Sequence, residues 1–333
     1  MSEAHYGNEV RVLSFNQGKW VEKLPEGVSP SAVEEKASLL SSAIPPMWNA
    51  PVPPSSVDLT DLEIRSLPVA ELRLTALLSR LAYSDEKSVI RDTRVGQDIL
   101  NKVESGFPKI LQSTDPHHAV CHLWLFTDEK HMYVVFRGTG SVGESLMDVF
   151  SHRKELKGSR GLVHGGILNQ FNHIQPFLQS LLEENHDKFQ KITFTGHGIG
   201  AGLATIAAPY FSEMCSEKEF RVHTYGGPRV GNEDFKKWFN EKIPRNKFRF
   251  ILEGDPLPNM PASSRYSHVV DAICLSHEGR LRFWPETPSS ERWDIPFGSL
   301  VMYIVSSFLH NQWEYCERVT AICNDLEAPK RGL

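Results

Sequence analysis

The chain is short of several features that would narrow its role at once. It has no basic tract, and 36 lysines and arginines against 41 acidic residues leave a net charge of −5. Nucleic acid is therefore not expected as a partner. It has no apolar run able to span a bilayer, because the longest, residues 297–309, is too short and is broken by serines. Cysteine is scarce. The five residues Cys121, Cys215, Cys274, Cys316 and Cys323 are odd in number and widely spaced, which fits a reduced chain better than a disulfide framework. The first residues, MSEAHYGNEVRV, lack the basic stretch and apolar core of a secretory leader. Together these absences predict a soluble, cytoplasmic setting. No internal repeat is present.

What remains is enough chain for a full core: 333 residues make one large α/β domain or two smaller ones. Residues 1–66 read as an N-terminal extension, a proline-rich arm. Residues 10–21 suit a hairpin turning at Asn16-Gln17-Gly18, and Pro45, Pro46, Pro51, Pro53 and Pro54 then exclude helix or central strand. The main domain is expected over 67–333. Its pattern predicts helices at 69–83, 96–103, 166–184, 232–241 and 297–325. Strands are predicted at 120–126, 131–136, 221–225, 248–252, 268–275 and 280–284. Alternating strands and helices make an α/β fold, a mostly parallel central sheet with helices on both faces.

The organising stretch is 191–208, KITFTGHGIGAGLATIAA: a β-branched and aromatic run, a glycine cluster, then a small-residue helix. Strand, sharp turn and helix form the setting of a nucleophile elbow, G-x-S-x-G. Gly196 and Gly200 hold the outer positions, where backbones pack too closely for a Cβ. The middle position, where a serine is expected, is Gly198. Thr195 and Thr205 lie near in sequence, but neither is at the apex. Covalent ester chemistry needs an oxygen or sulfur nucleophile, and Gly198 offers none.

Other parts of such a site are present. The predicted strand 131–136 ends in RGTGS, so Thr139 and Ile199, the residue after the apex, are candidates for the two oxyanion-hole donors. Asp255 follows the strand 248–252 in a proline-fixed loop, EGDPLP, well placed to orient a histidine. Two histidines compete for the role of base, His268 and His310, and the order nucleophile, Asp, His suits either.

Five motifs in this order, VVFRGTGS, GLVHGGILNQF, ITFTGHGIGAGLATIAA, VHTYGGPRVGNEDF and DPLPNMP, closely resemble the class 3 (fungal-type) lipases over residues 68–325. That resemblance implies an α/β-hydrolase fold acting on carboxylic esters of the acyl-lipid class, with no metal or organic cofactor. It matches Thr139 and Ile199 to the oxyanion positions, Asp255 to the triad acid and His310 to the base. His197 and His268 become supporting histidines behind the site. The segment from about 141 to 149, with apolar Val142, Leu146 and Met147, corresponds to the lid or its border, which suggests transient contact with a lipid surface. The departure is Gly198, where the family has serine. Three readings follow: a pseudo-lipase that binds lipid or a protein partner, a lipase or esterase whose serine has been replaced, or a hydrolase using another nucleophile or an activated water.

Overall fold

The computed structural model describes residues 12–16, 19–23, 57–60, 63–64, 66–83, 102–103, 109–112, 120–126, 130–138, 152–255, 257–261, 263–276, 279–286 and 312–327. The chain divides into two compact units, Met1–Asn49 and Ala50–Leu333. In the first, β1 (Val12–Asn16) and β2 (Lys19–Lys23) form the expected antiparallel hairpin, with Asn16 opposite Lys19.

The second unit is built on a nine-stranded sheet. Its strands are β3 (Val57–Asp58), β4 (Lys109–Gln112), β5 (Val120–Phe126), β6 (His131–Phe136), β9 (Lys191–His197), β10 (Glu219–Tyr225), β11 (Lys247–Leu252), β12 (Ala272–Leu275) and β13 (Leu281–Trp284). The order across the sheet is β3-β13-β12-β11-β10-β9-β6-β5-β4. The five central strands, β12 to β6, run parallel, and two antiparallel strands close each edge. A small hairpin, β7 (Arg153–Glu155) with β8 (Leu162–His164), stands apart.

Helices cover both faces. On one lie α2 (Gly165–Glu184), α3 (Ile199–Ser212) and α4 (Glu233–Lys242). Their Leu168, Phe171, Leu203, Ile206 and Phe235 pack with Met132, Val134, Phe136, Ile192, Phe194 and Val222 of the strands. On the other lie α1 (Val69–Leu81) and α5 (Gln312–Glu327), where Leu72, Ala76, Tyr315 and Val319 meet Tyr225, Phe250 and Leu252. Successive side chains of a strand point to opposite helical layers, and in β9 Ile192 and Phe194 face α3, while Thr193 and Thr195 face α1. No helix among the described residues is long and apolar enough to cross a membrane.

Several expectations need adjusting. Val103, expected in a helix over 96–103, instead makes an antiparallel bridge with Phe126 and packs against Leu78 and Tyr133. Residues 96–101 of that element lie outside the described residues. The strand expected over 268–275 is confined to 272–275. Its first carbonyls are used elsewhere, Val269 O by Asn240 Nδ2 and Val270 O by Arg249 Nε, each at 2.8 Å. Strand β3 lies ahead of the expected boundary at 67 and pairs with β13, so the compact unit reaches back to Ala50. The turn after it is fixed by a reciprocal cap: Glu63 Oε2 accepts from Thr60 N at 2.8 Å, and Glu63 N donates to Thr60 Oγ1 at 3.3 Å. Of the expected closing helix over 297–325, the part before 312 lies outside the described residues.

Candidate active site

The turn from β9 to α3 is made at Gly198, with φ +60° and ψ −125°, a conformation that side chains of L-residues avoid. Gly198 N donates to Tyr225 O at 3.0 Å, and Gly198 O accepts from Ala201 N at 3.0 Å, so the apex is tied to β10 on one side and to the helix on the other. The flanking glycines are there for proximity. A Cβ on Gly200 would come within 2.2 Å of Phe136 O, and one on Gly196 within 2.5 Å of the Gly200 carbonyl carbon. The first turn of α3 thus rests directly on the end of β6. Ile199 is its first residue, buried, with a backbone N–H that belongs to the unbonded set at a helix N-terminus.

Asp255 lies just past the carboxyl end of β11, buried. Leu257 N donates to its Oδ1 at 2.9 Å, and the Tyr315 hydroxyl of α5 donates to its Oδ2 at 2.5 Å. Tyr315 also accepts from Leu252 N at 3.0 Å. Burial, reinforced by the Asp255 charge, pushes the Tyr315 hydroxyl well above its ordinary pKa, so it remains a donor. Strands β9, β10 and β11 are parallel neighbours, with His197, Tyr225 and Phe250 level in register. Gly198 and Asp255 therefore emerge at the same edge of the sheet, the carboxyl edge where open α/β sheets hold ligands.

His197, the last residue of β9, links the two. Its ring centroid is 5.1 Å from that of Tyr315, and its Nδ1 lies 3.0 Å from the Tyr83 hydroxyl, just beyond α1. Gly138, after β6, fits against the same tyrosine: a Cβ there would be 2.1 Å from Tyr83 Oη and 2.7 Å from His197 O. His268 lies behind the Asp255 loop, with Nε2 2.6 Å from Pro258 O. Burial and the nearby Arg249 charge hold its pKa well below the ordinary imidazole value, so the ring is neutral, with its proton on Nε2.

The structure therefore gathers Gly198, Ile199, His197, Asp255 and His268 around one edge of the sheet. Thr139, His310 and the 141–149 segment with Val142, Leu146 and Met147 lie outside the described residues. Sequence reasoning missed Tyr83, Tyr315 and Glu286. No local spacing signalled them: Tyr315, for one, meets Asp255 across 60 residues of chain.

Strand, apex and helix with an acid two strands away define the class: this is an α/β-hydrolase fold. Among solved structures it is similar to the Rhizomucor miehei triacylglyceride lipase, with a TM-score of 0.58 and 21% identity over 79% of this chain and 100% of that one. A second triacylglycerol lipase structure, described by its serine-protease-like triad, gives 0.57 at 21% identity over 75% and 96%. Residues 133–265 match the lipase (class 3) family, and the resemblance read from the five motifs holds. The chain is 32% identical over 147 residues to a lipase of Rhizopus niveus, covering 41% of this chain and 36% of that protein. It is 24% identical over 223 residues to the secreted mono- and diacylglycerol lipase 1 of Fusarium solani, covering 64% and 66%. The chain thus spans about a third of the length of the Rhizopus relative it matches.

Proposed function

We propose that this chain is a lipase-type carboxylic ester hydrolase scaffold for acyl-lipid esters, in which Gly198 stands at the nucleophile position. As it stands it binds the ester without forming an acyl-enzyme. The observation that carries this reading is the Gly198 turn itself, a strand-to-helix apex tied to Tyr225 and Ala201 at the place where a nucleophile elbow holds its serine. Asp255 acts as the triad acid, and its ordered carboxylate supports that role. The resemblance supplies His310 as base and the N–H groups of Thr139 and Ile199 as oxyanion donors.

With serine at 198 the reaction balances simply. His310 takes the hydroxyl proton as the oxygen attacks the ester carbonyl, and the two N–H groups hold the oxyanion. The alcohol leaves with the proton from His310, and water then releases the acid by the same steps in reverse. The reading uses no metal and no cofactor. The 141–149 segment, with Val142, Leu146 and Met147, would meet the lipid surface. A cytoplasmic setting is part of the proposal, supported by five buried cysteines that form no disulfide among the described residues.

The test is hydrolysis of p-nitrophenyl butyrate and palmitate by this chain and by Gly198→Ser. The variant should exceed the parent by at least about 10³-fold, since the framework without a nucleophile retains only weak catalysis. If both are equally inert, the hydrolase reading fails and the site is that of a lipid- or protein-binding module. Turnover by the parent alone would place the apex elsewhere.

A further inference from the structure

Behind the Asp255 loop lies a group of charges to which the reaction above gives no task. Arg229, Arg249, His268 and Glu286 meet inside the protein, with side chains only 5–7% exposed. Glu286 Oε1 accepts from Arg229 Nε at 2.8 Å, and its Oε2 is 3.9 Å from both Arg249 Nη2 and His268 Nε2. Burying such charges is costly, and a buried ion pair is weak evidence of net stability. Burial alone would raise the Glu286 pKa, but the neighbouring His268 and the two guanidiniums prevail and hold it well below the usual carboxylate range, at about 2, so it is ionised.

What this group grips is more informative than what it is made of. Arg229 Nη1 donates to Asn259 O and, at 3.3 Å, to Pro261 O. Arg229 N donates to Met260 O at 2.7 Å, and His268 Nε2 donates to Pro258 O at 2.6 Å. The carbonyls of 258, 259, 260 and 261 are thus all held from the same group. Pro258 and Pro261 have no N–H, so the stretch has little backbone bonding of its own beyond one tight turn, Met260 N to Leu257 O at 2.9 Å, and the bond from Ser263 N to Pro261 O at 2.9 Å. The amide just ahead of it, Leu257 N, is the one bound to Asp255 Oδ1. Arg229 lies on the segment after β10, and Glu286 comes from the far end of β13 to hold its guanidinium in place.

We infer that Glu286 is a positioning residue for the acid of the site: by fixing the Arg229 guanidinium it aligns residues 257–261, and with them the Asp255 carboxylate. The inference rests on Asp255 being the triad acid, and its test separates the two claims. In the parent chain, hydrogen exchange of the Leu257 and Met260 amides should accelerate at least about tenfold in Glu286→Gln, while β9 and β10 amides keep their rates. In the Gly198→Ser chain, the same substitution should lower kcat about tenfold with KM within about twofold, because small misplacements of a reacting group are costly. Glu286→Asp, which keeps the charge, should recover part of that loss. If Glu286→Gln does not fold, Arg229→Lys removes the fork while keeping the charge and is read in the same way. Loop amides that exchange at the parent rate, or accelerate only together with those of β9 and β10, overturn the inference. A Gly198→Ser chain without turnover overturns the functional reading instead, and the exchange rates still decide the positioning.

Discussion

Acidification from pH 7.5 to pH 5.0 should destabilise this fold while most of its carboxylates are still ionised, through two histidines under α1. His131 and His223 are both buried in the layer between that helix and the sheet. Thr193 Oγ1 is 2.8 Å from His131 Nε2, and Tyr133 Oη is 3.1 Å from Nδ1. Glu71 is 3.8 Å away. Thr75 Oγ1 lies 3.2 Å from His223 Nδ1, while His223 Nε2 is buried with no hydrogen-bond partner among the described residues. Burial lowers both imidazoles to a pKa of about 3. For His131 the pull of Glu71 partly offsets this and the Arg221 and Lys191 charges add to it; for His223, Arg221 adds to it.

The sign follows from proton counting. Between pH 6.5 and 3 the unfolded chain binds protons that the folded chain refuses, so stability is lost as pH falls through that window. At pH 5.0 the unfolded imidazole is about 1.5 pK units into its titration, which at 1.36 kcal/mol per unit is about 2 kcal/mol for each histidine. The pair costs about 4 kcal/mol, a large share of the roughly 5–15 kcal/mol typical of a folded domain. Urea unfolding at pH 7.5, 6.0 and 5.0 measures it directly. The double variant His131→Gln, His223→Gln should lose about 4 kcal/mol less than the parent across that range. Equal losses in parent and variant would refute the reasoning.

Two further outcomes follow from the site. Tyr315→Phe removes the hydroxyl shared by Asp255 Oδ2 and Leu252 N, and should cost about 1–3 kcal/mol in urea unfolding at neutral pH. A loss under about 0.5 kcal/mol would mean that water replaces it freely. Gly200→Ala forces a methyl to within 2.2 Å of Phe136 O, and should lower the midpoint of thermal unfolding or abolish soluble expression, whereas an unchanged midpoint would show that β6 and α3 can part without cost.

The long elements were legible because their patterns are unambiguous: KITFTGH and EFRVHTY alternate as two-faced strands, and the small residues after Gly198 announce a helix packed close to a sheet. The short ones were not. Strands β3, β7 and β8 have two or three residues each, too few for any period to show, and β3 is hidden behind prolines. The harder lesson comes from α1. Glu71, Thr75, Ser79 and Tyr83 follow one another at intervals of four, which in isolation reads as the solvent face of an amphipathic helix. In the structure they face the sheet. Glu71 bonds Thr193 and Arg221, Thr75 bonds Tyr225, Ser79 bonds Thr195, and Tyr83 meets His197. A polar stripe is buried when the strands beneath offer polar partners at every second residue, and those two strings together contained the clue. At the site, the sharp turn at Gly198 and the loop carrying Asp255 past β11 were legible as local patterns. Tyr315 and Glu286 were not, because their contacts with Asp255 and Arg229 span 60 and 57 residues of chain, which no local spacing encodes.

The turn at Gly198 has a consequence for how the molecule can change. An apex at φ +60° normally asks a side-chain-bearing residue to hold an unfavourable backbone, at about 1–3 kcal/mol, and the surrounding packing must keep it there. Here the restraints remain, in the close seating of Gly196 and Gly200 against Phe136 and in the bond from Gly198 to Tyr225, but the residue they enclose is at ease. The clamp closes on something that does not push back. That slack leaves stability to spare, so residues around the apex can accept mutations that a strained turn could not tolerate while the sheet edge stays in place.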